Sequence, residues 1–263
     1  MNEREYSLSG ERLSLLAVFA HPEDEAFGSA GTLAKYAAEG IQVSLITALR
    51  ERSVSSLFSI PLTVKEGEGQ DDARDVVCSC RTTGVRRICL MDNKPVELDD
   101  MVLPILEDRL VRVIREVRPQ VIVTYGHVGF ADPDHQRVSE LTMRAFRAAG
   151  DAHAFVQHFR EGLTPFAPQK LYYAVLPNSL LECWGVTDTM GAPDDQITTV
   201  LDVSSYGESK RRALYCQRNH MLDYARWLTE EKQADWNQEY FLLAFSNLAR
   251  KVKRERDLFF GLR

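Results

Sequence analysis

The stretch Leu16-Ala17-Val18-Phe19-Ala20-His21-Pro22-Glu23-Asp24-Glu25 decides how the rest of the chain is read. An apolar run ends in a histidine and a proline, and then in consecutive carboxylates. A buried strand has no packing reason to finish that way, because ionised carboxylates avoid low dielectric unless they are paired or bound to a cation. His21 and Asp24, close together across a strand-to-helix turn, can converge on one ion. A second cluster, Asp132-Pro133-Asp134-His135, follows another apolar strand, Val121 to Tyr125, and offers His135 as a third ligand. Two strand ends that bring histidine and carboxylate to one cleft read as a metallohydrolase.

Taken singly, each cluster has an ordinary explanation. Acidic residues after Pro22 suit a helix N-terminus through the dipole. Asp132-Pro133 suits an N-cap followed by proline at the first helical position, and a lone His135 in a first turn is usually solvated. The dipole does not account for His21 ahead of Pro22 at the end of an apolar strand. Both clusters at equivalent places in one sheet favour metal. A hydrolytic zinc site takes three protein ligands and keeps one position open for water. His21, Asp24 and His135 make such a set, and Glu23 stands beside it as general base toward that water.

Strands and helices alternate outward from these motifs. Leu13 to Ala20, Ile41 to Ala48, Arg87 to Met91 and Val121 to Tyr125 read as strands. Between and after them, Ala26 to Ala38, Asp71 to Thr82, Val102 to Val117 and a segment carrying Val138, Leu141, Ala145, Phe146 and Ala149 read as helices. Gly40 and Gly84 stop two of them. Residues 50–70 read as a loop over the carboxyl edge. The succession implies an α/β fold, a Rossmann-like open, mostly parallel sheet with helices on both faces. Ligands in such sheets bind outside the carboxyl ends of the strands, where both clusters fall. Further on, Leu171 to Val175 and Thr198 to Val203 read as strands, Ser205-Tyr206-Gly207-Glu208 as a capping box, and residues 221–258 as largely helical. With no repeat, low-complexity tract or linker, residues 1–263 are expected to form a single domain.

The bulk properties narrow the function. At 263 residues and 44% apolar content, the chain can bury a substantial core. A net charge of −6 with no basic stripe argues against nucleic acid. No run of about 18 apolar residues predicts a membrane span. Five cysteines without a CxxC pair imply a reducing compartment rather than a disulfide framework, and Cys78 and Cys80, two apart on a helix, point in different directions. The charged N-terminus and this cysteine usage read as a cytoplasmic protein; self-association is left open. No GxSxG elbow or GxGxxG follows the first strand, which disfavours nicotinamide binding. Trp184, Tyr172 and Tyr173 have two readings, stacking on a sugar or filling the core.

At the two clusters the sequence resembles the LmbE-like (PIG-L) family of zinc-dependent N-deacetylases. Ala20-His-Pro-Glu-Asp-Glu25, with Gly28-x-x-Gly-Thr-Leu-Ala34 after it, matches the family's AHPDDE motif, and Asp132-Pro-Asp-His135 corresponds to its HPDH. Asp75, Thr83-Gly84-Val85, Leu171-Tyr-Tyr173, Asp202-Val-Ser204 and Lys210-x-x-Ala-Leu214 extend the similarity along most of the chain. The resemblance implies one zinc ion per chain and hydrolysis of an acetamide on an N-acetylglucosamine-type sugar or its conjugate. It places His21, Asp24 and His135 as metal ligands, Glu23 as the base, and Asp134 as an orienting residue.

Three departures from the family pattern bear on catalysis. Glu23 replaces an aspartate, adding about 1.5 Å of chain. Asp132 stands where the family has a histidine that aids the tetrahedral intermediate; a carboxylate there repels an oxyanion unless protonated, and such a donor is worth roughly 10²–10³ in rate. The C-terminal H-x-[ST]-Q reads as Gln217-Arg-Asn-His220, with histidine and glutamine exchanged. His127 and His220 have two readings, as substitutes in the site or as surface histidines. Two rival functions accompany the deacetylase: a metal- or sugar-binding protein that no longer catalyses, and an amidase of a thiol-sugar conjugate.

Overall fold

A computed structural model describes residues 7, 10–48, 58–60, 71–91, 103–126, 133–186, 191–218, 234–249 and 254–263. Eight strands form one sheet in the order β3-β4-β2-β1-β5-β6-β8-β7. They are β1 (Ser14–Phe19), β2 (Gln42–Thr47), β3 (Phe58–Ile60), β4 (Arg87–Leu90), β5 (Val121–Tyr125), β6 (Lys170–Val175), β7 (Thr199–Asp202) and β8 (Gln238–Ser246). The five central strands, β4, β2, β1, β5 and β6, run parallel. The flanking pairs β3/β4, β6/β8 and β8/β7 are antiparallel.

Helices α1 (Asp24–Gly28), α2 (Ala30–Ala38), α3 (Asp71–Thr83), α4 (Leu103–Val117), α5 (Pro133–Ala148), α6 (Asn178–Cys183) and α7 (Gly207–Cys216) join and cover the strands. Every residue of β1 is buried, and alternate residues feed two cores. Leu15, Ala17 and Phe19 pack with Leu33 and Tyr36 of α2 and Val76, Val77 and Cys80 of α3. Leu16, Val18 and Ala20 pack with Leu106, Leu110 and Ile114 of α4 and with Val138, Leu141 and Phe146 of α5. That two-sided burial is why these strands read as continuous apolar runs rather than alternating ones. The chain moves outward from β1 through β2 to β4, then returns to place β5 on the other side of β1. The reversal opens a crevice at the carboxyl ends of β1 and β5.

Several expectations need correction. The helix expected over 26–38 is two helices broken at Ser29, whose φ of −145° leaves the helical region. The break frees the N-terminus of α2, where Gly31 N and Thr32 N donate to the Glu239 carboxylate at 3.0 and 2.7 Å. Within the expected loop 50–70, three residues form β3, too short for any periodicity to betray. The helical reading of 221–258 fails at β8: Tyr240 to Phe245 is an unbroken apolar and aromatic run, which periodicity alone cannot tell from a helix. No capping box opens α7, where Tyr206 is the N-cap without a side-chain bond and Glu208 pairs with Arg211 and Arg212. Cysteine usage does not argue for a reducing compartment, because Cys78 on α3 and Cys216 on α7 form a disulfide across a separation of 138 residues. Cys78 and Cys80 do point apart, Cys78 outward and Cys80 into the core. No helix among the described residues is long and apolar enough to cross a membrane.

Candidate metal centre

The crevice between β1 and β5 is lined from both motifs. Past the end of β1 the backbone turns sharply, and Asp24 N donates to His21 O at 3.3 Å. The turn closes on its own side chain, since Asp24 Oδ2 accepts from Ala20 N at 3.1 Å and His21 N at 2.8 Å. Pro133 opens α5 as its first residue, and the first turn carries Asp134 and His135 to the same place.

The three expected ligands come together: one ligand atom each from His21, Asp24 and His135 lies within 4.8 Å of the others. His135 Nε2 is 3.2 Å from His21 Nδ1 and 3.1 Å from both carboxylate oxygens of Asp24. His21 Nδ1 lies 3.9 Å from Asp24 Oδ2. Two zinc ligands at tetrahedral angles stand about 3.3 Å apart, given zinc–nitrogen and zinc–oxygen bonds near 2 Å. The donor chemistry fits as well. Two ring nitrogens and a carboxylate facing one another present lone pairs toward a common point, which is the donor set a divalent cation takes. Nitrogen and oxygen donors in this number suit zinc.

Asp134 lies against the other ring nitrogen of His21. Its Oδ2 lies 3.4 Å from Nε2 of His21, the nitrogen that points away from the cluster. A carboxylate there draws the ring proton to Nε2 and leaves the Nδ1 lone pair facing the other ligands. Glu23 is half-buried at the N-cap of α1, directly between Pro22 and Asp24. Asp132, His127 and His220 lie outside the described residues.

Other residues pack around the site, and Tyr125 does so without a signal in the local sequence. Tyr125, the last residue of β5, donates its hydroxyl to the Asp24 carbonyl at 2.7 Å and sets its ring against His135, centroids 4.9 Å apart. Gly28 makes room for it, since a Cβ there would lie 2.6 Å from the Tyr125 hydroxyl. A glycine one helical turn after the acidic motif is the only trace of this contact in the sequence. Glu25 is wholly buried, and burial raises its carboxyl well above the usual range. Gln217 Nε2 donates to Glu25 Oε1 at 3.2 Å and to the Pro22 carbonyl at 3.3 Å.

Further along the carboxyl edge, β6 and β8 border an open depression. Phe27 of α1, Leu180 and Trp184, Trp236 and Tyr240 give it an aromatic and aliphatic wall. Among the described residues that line it, the cation is Lys210, paired with Glu239 at 2.8 Å. Of the aromatics with two readings, Tyr172 is a core residue, Trp184 faces this depression, and Tyr173 is half-buried between two apolar clusters.

Comparison with known proteins bears on these features. The model of the family described as GlcNAc-PI de-N-acetylase (PIG-L) matches residues 16–146. A 1D-myo-inositol 2-acetamido-2-deoxy-alpha-D-glucopyranoside deacetylase of Thermobifida fusca is 32% identical, over 76% of this chain and 80% of that protein. A mycothiol S-conjugate amidase of Streptomyces coelicolor is 27% identical, over 96% of this chain and 98% of its own. In three dimensions the chain resembles the 4-carboxy-2-hydroxymuconate hydratase of Pseudomonas putida KT2440, with a TM-score of 0.62 and 18% identity over 91% of this chain and 99% of that one. That last likeness is one of fold, and a fold alone does not select a reaction.

Proposed function

The chain belongs to the PIG-L family of de-N-acetylases, and on that premise we propose that it hydrolyses the amide of an N-acyl amino sugar conjugate, with one zinc ion per chain held by His21, Asp24 and His135. The convergence of those three side chains within 4.8 Å is the observation that carries the reading. When bound, zinc supplies a Lewis acid for the amide carbonyl and lowers the pKa of a water. Glu23 takes the proton of the attacking water and returns it to the leaving amine. Asp134 keeps the proton of His21 on Nε2, so that the ring's other nitrogen is free to bind metal. Asp132, when ionised, cannot donate to the oxyanion. The aromatic depression beside the crevice receives the part of the substrate beyond the amide.

A second reading, amide hydrolysis of a thiol-sugar conjugate, is favoured by the Streptomyces coelicolor relative, which aligns along nearly the whole chain. It uses the same residues in the same roles. The third, a binding protein without turnover, draws on the departures at Asp132 and Gln217. We also read residues 1–263 as one domain, because the sheet is continuous from β3 to β7, and we retain the cytoplasm as its place of action, to be checked by cell fractionation.

The test is an assay of purified, zinc-loaded protein on an N-acetylglucosamine–inositol conjugate and on a thiol-sugar S-conjugate. Released acetate supports the deacetylase, and a free amine from the S-conjugate alone supports the amidase. Saturable binding of either without release supports the binding protein. Glu23→Gln is expected to keep zinc and to lower turnover by about 10²–10⁴. Unchanged turnover in that variant removes Glu23 as the base.

A further inference from the structure

Three consecutive residues at the end of α7 reach in two directions. Cys216 is bonded to Cys78 of α3. Arg218 N and Nε donate to the carboxylate of Asp75, also on α3, at 3.0 and 2.9 Å. Between these two anchors, Gln217 points the other way, to α1 and the turn before it. It is 2% exposed, and its amide donates to the Pro22 carbonyl and to Glu25, the residues on either side of Glu23 and Asp24. The turn ties itself together through Asp24 Oδ2, but that bond leaves its attachment to the helices behind it to other groups. Tyr125 attaches it from the strand side, and Gln217 attaches it from the helix side.

We propose that Gln217 is a positioning residue for the ligand-bearing turn and that the Cys78–Cys216 disulfide makes it one, by fixing the end of α7 against α3. The proposal rests on the metal reading of the site given above. Without the disulfide, α7 still packs along α3, but the polar tie left at its very end is that of Arg218 with Asp75, a pair that includes a largely exposed guanidinium and is weakened by solvent. Cys78 is exposed while Cys216 is buried, so a reductant reaches the bond from the α3 side. With a phosphine the step balances: phosphorus attacks sulfur and is oxidised to the phosphine oxide by the oxygen of one water. The two sulfurs are reduced to thiols, taking that water's two protons. The site's hold on its cation is therefore coupled to the oxidation state of a bond on the other side of the helical layer.

The test is zinc affinity, measured by competition with a chromogenic chelator, for the parent protein, Gln217→Ala, Cys78→Ser and the parent treated with a phosphine reductant. All three altered forms are expected to bind zinc about tenfold more weakly, the order seen when groups supporting a metal ligand are removed. With substrate, kcat falls and KM stays within about twofold. Lys170→Met, which weakens the fold at the opposite edge of the sheet, controls for simple loss of stability and is expected to leave zinc affinity unchanged. Equal affinity in the parent and the three altered forms overturns the proposal. A fall in affinity in Lys170→Met as large as in Gln217→Ala also overturns it, since loss of stability then accounts for the effect. A parent protein that takes up no zinc overturns the metal reading, and this proposal falls with it.

Discussion

At the amino edge of the sheet, Lys170, Tyr172 and Glu255 meet in a buried cluster; at the carboxyl edge, His21, Asp24 and His135 do the same. Lys170 Nζ donates to Glu255 at 2.9 Å and to the Tyr172 hydroxyl at 3.1 Å, and that hydroxyl donates in turn to Glu255. One cation meets one anion, with a neutral hydroxyl between them. Burial and the neighbouring Glu255 push the tyrosine's pKa far up, so it stays neutral and keeps donating. At the carboxyl edge two imidazole nitrogens stand 3.2 Å apart and share a carboxylate. Both clusters are largely buried, although the His21 side chain is 20% exposed. What distinguishes them is completeness: the first supplies its own counter-charge, and the second, on the reading proposed above, takes an ion from outside.

The comparison can be broken most severely at the ligands. Asp24→Asn is expected to lose zinc and to lower amide hydrolysis by at least about a thousandfold, read by metal analysis and by released amine. At the other edge, Lys170→Met alone is expected to cost about 3–5 kcal/mol in denaturant unfolding, because Glu255 is left buried and uncompensated. Turnover per folded molecule stays unchanged. The double change Lys170→Met/Glu255→Leu recovers most of that loss, whereas no pair of apolar residues at His135 and Asp24 restores activity. A smaller effect sharpens the contrast. Stripping the metal with a chelator lowers stability, and adding free zinc to about 100 times its dissociation constant restores about 2.7 kcal/mol; Asp24→Asn gains nothing from the same addition. Smallest is the response of the thiols. Cys183 is exposed, while burial pushes the thiols of Cys80 and Cys89 upward. A raised thiol pKa means less thiolate at any given pH, so iodoacetamide at pH 8 labels Cys183 first, read by peptide mass. Cys80 and Cys89 react only on unfolding.

What the sequence made legible is what local chemistry dictates. The central strands announce themselves because a strand covered on both faces is apolar throughout. The cluster of His21, Asp24 and His135 announces itself because carboxylate and imidazole at the end of such a strand need a partner. The buried faces of α4 and α5 follow from helical spacing, with Leu106, Leu110, Val138 and Leu141 all inside. What stayed hidden depends on partners distant in the chain. Tyr125 reads as one more apolar strand residue until Asp24, 101 positions away, receives its hydroxyl. Cys216 reads as a spare thiol until α7 is laid against α3. β8 reads as helix because an unbroken apolar run carries no period, and only pairing with β6 and β7 settles it. Asp134 lies between the two cases: its place beside His135 was legible, while its contact with His21 came from setting the start of α5 against the turn after β1.

Glu239 carries a consequence for how far the molecule can be pared down. Its carboxylate sits on the opening amides of α2, the helix that continues the first motif, and both oxygens are engaged there. Every ligand of the cluster falls within residues 16–146, yet this keystone comes from strand eight. A fragment cut at position 146 would inherit all three donors and lose the anion that faces the dipole of the helix behind them. On the proposed reading, a piece that keeps this anion behind the cluster must therefore extend into β8 itself.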